Sequence, residues 1–192
     1  IISHGNSAVF NRNSLEILSP DSDLYNLVES ADLILTNPPF GAKIGITDDS
    51  LLRLYEFGYN WTYSEKDKTW YRLNTIVKNQ APQVLFLELC VRMLKPGGTM
   101  AIVLPEGIFG NKSLGYIWAY LKKHGKVLAM IDCPRNTFQP STDTKTNVLI
   151  YQKGIEFSDE IIVSVAKNCG HDKRGRITNS VNEALPNDFE LI

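Results

Sequence analysis

Asn37-Pro38-Pro39-Phe40 is the stretch of this 192-residue chain whose residue types and spacing best fit chemistry. Asn37 offers an amide oxygen and Pro38 a main-chain carbonyl, two hydrogen-bond acceptors that work without ionising. Acceptors fixed in advance can hold an N–H pair and stabilise charge developing on its nitrogen. Such work needs neither a general base nor a metal. The rigidity comes from the prolines, since each fixes its own φ, donates no N–H and keeps the residue before it out of the helical region. Asp32-Leu33-Ile34-Leu35-Thr36 reads as a short buried strand, so the chain leaves it as a stiff arm carrying Asn37 and Phe40. In an open parallel sheet, ligands bind at the carboxyl ends of strands. The plainer reading is a proline-terminated strand followed by a turn at Gly41.

Other elements must hold that arm. Ala8-Val9-Phe10 is a short strand candidate, and Asp21 or Ser22 can cap a brief helix with Leu24, Leu27, Val28 and Ala31 on one face. Tyr55, Phe57, Tyr59, Trp61 and Tyr63 alternate strictly, and Trp70-Tyr71 follow a polar break, which predicts a half-buried hairpin. Residues 81–95 form the clearest helix, with Val84, Leu87, Val91 and Leu94 on one side and Leu85, Leu89 and Met93 beside them. Lys95-Pro96-Gly97-Gly98 ends it, and Met100 to Leu104 is a buried strand stopped at Pro105. A helix near 112–124 carries Leu114, Ile117, Trp118 and Leu121 and closes on Lys122-Lys123-His124-Gly125. Val127 to Ile131 and Asn147 to Tyr151 are strands around a loop at 132–145, Ile161 to Val165 is a further strand, and Gly170 to Gly175 is a polar turn. Strands alternating with helices imply an α/β fold, a parallel sheet with helices on both faces.

Composition narrows the function classes. With a net charge of −1 the chain lacks the basic surface of a domain that grips DNA unaided. Its three cysteines, Cys90, Cys133 and Cys169, form no metal-ligand spacing and suit a reducing cytosol. No apolar run approaches the roughly 18 residues of a membrane span. Ile1-Ile2-Ser3-His4-Gly5 has no signal-peptide character, and a chain without an initiating methionine is expected to be a piece of something longer.

Asn37-Pro38-Pro39-Phe40 resembles the catalytic tetrapeptide of amino-group DNA methyltransferases, in the form associated with N6-adenine methylation. Ala81 to Glu88, Leu94 to Gly98 and Ala101 to Gly107 look like the helix and fifth strand of the modification subunit of type I restriction-modification systems. Cys133 to Pro140, followed by Thr144 to Leu149, is similar to that family's loop before the last strand of the sheet. The resemblance implies a Rossmann-like S-adenosylmethionine-dependent methyltransferase fold, three-layer α/β/α, as a partial domain lacking the first strands, with the last strand antiparallel. It implies transfer of a methyl group from S-adenosylmethionine to the N6 amino group of an adenine flipped out of double-stranded DNA. Asn37 and Pro38 would accept the two amino N–H groups, Pro39 would stiffen the arm and Phe40 would stack on the base. Phe138 would form the second wall of the base pocket or is a packing aromatic. Lys145 and Thr146 would contact the substrate or merely finish a turn. Asn13 would lie near the cofactor's adenine. The implied partners are a specificity subunit and a restriction subunit, in the cytoplasm and without a membrane.

The family's cofactor loop is glycine-rich, and no two glycines here sit two apart. The chain thus resembles the second part of a catalytic domain: residues 1–153 with a hairpin insertion at about 55–72, and an extension at 154–192. Two other readings use the same residues. One is methylation of a protein glutamine amide, where Asn-Pro-Pro-Tyr is usual; the other is a non-catalytic module that docks on DNA or a subunit. Lys173, Arg174 and Arg176 read as a solvated turn.

Overall fold

The computed structural model describes residues 9–39, 45–154 and 160–192, so Phe40 and Gly41 lie outside the described residues. In chain order the elements are strand β1 (Ala31–Thr36), helix α1 (Asp49–Leu52), strands β2 (Tyr59–Ser64) and β3 (Thr69–Ile76), and helix α2 (Pro82–Met93). Strand β4 (Leu94–Pro105), helices α3 (Glu106–Gly110) and α4 (Gly115–His124), and strands β5 (Gly125–Asp132), β6 (Thr146–Lys153) and β7 (Ile162–Val165) follow. Among the described residues no helix is long and apolar enough to cross a membrane.

Five strands form one sheet in the order β1-β4-β6-β5-β7, and β2 and β3 pair separately as a hairpin. β1 runs parallel to β4 and β5 parallel to β7, while β6 runs antiparallel to both β4 and β5. The carboxyl ends of β1, β4, β5 and β7 therefore share one edge with the start of β6. Among the described residues β1 is the edge strand on its side.

The helices explain which sheet face is buried. Met100, Ile102 and Leu104 of β4 stand opposite Tyr151, Leu149 and Asn147 of β6, and none is more than slightly exposed. The Tyr151 hydroxyl donates to the Leu121 carbonyl of α4 at 3.0 Å, so α4 covers this face. Helix α2 lies on the same side. Glu88 of α2 accepts the Phe57 N–H at 2.8 Å, and the Phe57 ring packs edge-on against Tyr116 and Tyr120 of α4 at 5.4 and 4.8 Å. The sequence pattern points to helices on both faces, but both longer helices pack on one. The other face carries Leu33, Leu35, Ala101, Val103, Val148 and Ile150, and Leu33 and Leu35 are 58% and 70% exposed. The described residues thus supply two of the three layers.

Local departures from the sequence reading have tertiary causes. Val9 and Phe10 form no strand and are exposed, since a strand needs a ladder partner. The expected helix before β1 shortens to a 3-10 turn at Tyr25–Leu27. Tyr55 and Phe57 precede the hairpin rather than belonging to it, and both are buried, with the Tyr55 hydroxyl donating to the Leu15 carbonyl at 2.7 Å. Trp61 stacks on Tyr116 at 5.4 Å and Trp70 meets the same ring edge-on at 5.9 Å, so the hairpin lies against α4. The Lys95-Pro96-Gly97-Gly98 segment ends α2, as expected, and is also the irregular start of β4. Gly97 has φ +81°, and a Cβ at Gly98 would sit 2.7 Å from the Ala31 carbonyl.

Glu88 is the buried charge that joins these parts. It has no exposed surface, accepts the N–H groups of Glu56 at 2.9 Å and Phe57 at 2.8 Å, and lies 3.5 Å from Arg92. Burial outweighs those donors and pushes its carboxyl up from 4.5 to about 7. A carboxyl raised on folding is protonated more readily in the fold than in the unfolded chain. Its contribution is complete below pH 4.5 and is lost as pH rises through about 7. Thermal melts of the chain should therefore lose roughly 3 kcal/mol from this group across that window. Glu88→Gln should flatten that part of the slope; an unchanged slope would remove Glu88 as its source.

Candidate functional site

The site is built where β1 stops. Asn37 is exposed, Pro38 buried and Pro39 exposed, so the first proline anchors the arm and the residues around it face outward. Among the described residues no hydrogen bond engages the Asn37 amide, and no backbone N–H donates to the Pro38 carbonyl. Across a cleft of about 460 Å³ from Asn37, Pro38 and Pro39 stand Thr137, Phe138, Gln139, Ser141 and Thr142. Among the described residues every lining side chain is uncharged, and Phe138 is half-buried. Two free neutral acceptors on one side and an aromatic ring on the other suit a flat ligand that offers N–H groups.

The facing wall owes its shape to short local bonds. Pro134 starts a 3-10 turn at Arg135–Phe138, and its carbonyl accepts from the Thr137 N–H at 3.0 Å and the Thr137 hydroxyl at 2.6 Å. Gln139 N–H donates to Asn136 at 3.0 Å and Thr142 N–H to the Phe138 carbonyl at 3.0 Å, closing the loop around the ring. The Gln139–Pro140 peptide is cis. Arg135 and Asp143 pair at 3.5 Å outside the cleft, and the Gln139 amide donates to the Asp143 carboxylate.

The profile of the N-6 DNA Methylase family matches residues 4–185 of this chain. The chain belongs to the N-6 DNA Methylase family. One relative is the type I restriction enzyme EcoEI methylase subunit of Escherichia coli, 28% identical over 127 residues, which are 66% of this chain and 22% of that protein. The chain thus spans about a fifth of the length of the curated relative it matches. A methyltransferase subunit of a type I restriction-modification system from Streptococcus thermophilus superposes with a TM-score of 0.53 at 24% identity, covering 77% of this chain and 29% of that one. A chain from a type I restriction-modification complex gives 0.55 at 23%, covering 79% and 26%. These likenesses show the Rossmann-like methyltransferase fold.

The other residues singled out as site candidates in this family member are placed differently from one another. Phe138 shares the cleft with Asn37. Lys145 points inward: its ammonium pairs with Asp132 at 2.5 Å and donates to the Cys133 carbonyl. Thr146 has no exposed surface, so no ligand in the cleft reaches it as the fold stands. Lys145 precedes β6 and Thr146 opens it. Asn13 lines a separate cleft of about 530 Å³ with Arg12, Asp21 and Asp48. Its amide is occupied, accepting from the Leu15 N–H at 3.2 Å and donating to Glu16 at 3.0 Å. Thr137, Gln139, Ser141 and Thr142 were not singled out by the sequence reading, because polar loop residues carry no periodicity. The Pro-Arg-Asn-Thr-Phe-Gln-Pro block around Phe138 contains Thr137 and Gln139 and is followed directly by Ser141 and Thr142.

The Lys145–Asp132 pair holds the end of β5 to the entry of β6. Lys145→Met should leave a half-buried carboxylate without its cation and lower stability by about 1–3 kcal/mol in urea denaturation. Adding Asp132→Asn should recover at least part of that loss; a double variant no better than the single would mean the pair is not the tether.

Proposed function

We propose that this chain is the base-binding part of an adenine-specific DNA methyltransferase, the modification subunit of a type I restriction-modification system. The observation that carries the reading is the Asn37-Pro38-Pro39 arm, its two acceptors unengaged, facing Phe138 across an uncharged cleft. An adenine amino nitrogen is a weak nucleophile because its lone pair is delocalised into the ring. The Asn37 oxygen and the Pro38 carbonyl each accept one of its N–H groups and draw the nitrogen toward tetrahedral geometry. Preorganised acceptors then stabilise the positive charge that grows on nitrogen as it attacks. Extrusion of the base from the duplex costs about a few kcal/mol, and stacking on an aromatic ring offsets roughly 1–3 of these. Phe138 supplies one ring, and Phe40, outside the described residues, is assigned the other.

S-adenosylmethionine supplies the methyl group in this chemistry, and the residues described here do not by themselves fit it. Asn13 spends its amide on its own turn, and the sequence holds no Gly-x-Gly turn. We assign cofactor binding to polypeptide outside residues 1–192, packed on the open edge of β1 and the exposed face around Leu33 and Leu35. The net charge of −1 supports a division of labour in which a specificity subunit provides most of the DNA grip, with a restriction subunit as further partner in the cytoplasm. Residues 1–153 form the catalytic-domain portion and 154–192 its extension.

Asn37→Ala in the complete methyltransferase should lower the rate of adenine methylation by about 10²–10³-fold while subunit assembly, followed by size-exclusion chromatography, is unchanged. Retained methylation would leave a docking role as the better reading. Calorimetry on this chain alone should detect no low-micromolar binding of S-adenosylmethionine; such binding would place the cofactor site within it.

A further inference from the structure

The segment after β7 returns to the cleft. Parallel pairing with β5 carries β7 to the carboxyl edge of the sheet, where the Ala166 N–H donates to the Asp132 carbonyl at 2.9 Å. Beyond it the chain closes on itself. The Asp188 carboxylate accepts the N–H groups of Lys167 and Asn168 at 2.7 and 3.0 Å, and Gly170 N–H donates to the Pro186 carbonyl at 2.9 Å. Asp172 then organises a tight turn. Its carboxylate accepts the N–H groups of Arg174 and Arg176 at 2.8 and 2.9 Å and pairs with the Arg176 guanidinium at 2.6 Å. These donors hold the Asp172 carboxyl at about 2, so the turn keeps its carboxylate throughout the neutral range.

That rigid turn touches the cleft wall at three points that bracket Phe138. The Asn136 amide donates to the His171 carbonyl at 2.6 Å. The His171 Nε2 lies 3.3 Å from the Thr137 carbonyl, and its Nδ1 lies 2.9 Å from the Asp172 carbonyl. Gly175 lies against Pro140, whose Cδ would be 3.4 Å from a Cβ built there. Each ring nitrogen thus faces a carbonyl, which can only accept, so a neutral imidazole donates to one of the two at a time. Residues 136, 137 and 140 are all held, and 138 lies between them.

We propose that His171, through the turn Cys169–Arg176, is a positioning residue that sets where Phe138 stands opposite Asn37, and so how the flipped base is received. The proposal rests on the reading of the cleft as a base pocket. It gives the polar turn at 170–175, and the histidine within it, a part in substrate binding without contact to substrate.

The test uses the complete methyltransferase with His171→Ala and His171→Gln, the latter keeping an N–H near the Nε2 position. Hydrogen exchange reports on the wall directly. In His171→Ala, exchange at Gln139 and Thr142 should rise about tenfold while β4 and β6 exchange as before. The KM for a duplex carrying the target adenine should rise about tenfold with the KM for S-adenosylmethionine unchanged, and 2-aminopurine at the target position should lose its extrahelical fluorescence. His171→Gln should restore most of both. Unchanged exchange at 139 and 142, a rise spread evenly over the sheet, or equal behaviour of the Ala and Gln variants would overturn the inference. A localised rise in His171→Ala, with a wild-type protein that methylates no adenine, would instead overturn the methyltransferase reading and leave the buttress standing.

Discussion

The reversed direction of β6 is the constraint on which the site depends. Because β6 pairs antiparallel with β4 on one side and β5 on the other, its first residue lies at the carboxyl ends of its neighbours. The loop leading into it must then return to the edge where β1 releases Asn37. Register is strongly specified here, since a slip by one residue would turn Leu149 and Tyr151 out of the core. The core therefore determines the distance across the cleft, and the Lys145–Asp132 pair and the buried Thr146 hold the entry of β6 in place.

A second feature is the one-sidedness of the packing. Helix α2 is buried almost all round because the 3-10 stretch at Glu56–Gly58 covers one flank and the sheet the other. Glu88 sits in that junction among Leu85, Leu87 and Leu89, where two backbone donors satisfy its oxygens while burial favours its protonated form. The hairpin owes its place to aromatic contact with α4, through Trp61 and Trp70 on Tyr116. The opposite sheet face, with Leu33 and Leu35 in solvent, has the composition of a surface meant to be covered.

The site itself works with neutral groups. Ionic contacts near it are spent on scaffolding: Arg135 on Asp143, Lys145 on Asp132, and Arg176 on Asp172. A cleft lined this way recognises shape and hydrogen-bond pattern rather than charge, as a purine edge demands. The proposed division of labour, in which phosphates are gripped elsewhere, accords with an overall charge of −1.

The sequence alone determined the elements whose signal is local. Two prolines after an apolar strand dictate a rigid arm whatever surrounds it, and the apolar spacing of 81–95 and 112–124 specifies helices that appear as α2 and α4. The strands at 100–104, 127–131, 147–151 and 161–165 are legible as short apolar runs, and burial alternates along β4 and β6. Tertiary structure alone decided what comes together. The period-two run at 55–63 divides into a buried lead-in and a hairpin because Phe57 packs on α2 and α4 while the Tyr55 hydroxyl reaches the Leu15 carbonyl. Lys145 turns inward because Asp132 waits on a strand 13 residues earlier in the chain, and His171 meets Thr137 only after β7 has paired with β5. Such contacts join residues distant in sequence, where neither propensity nor periodicity carries information, and only the closed sheet brings their atoms within reach.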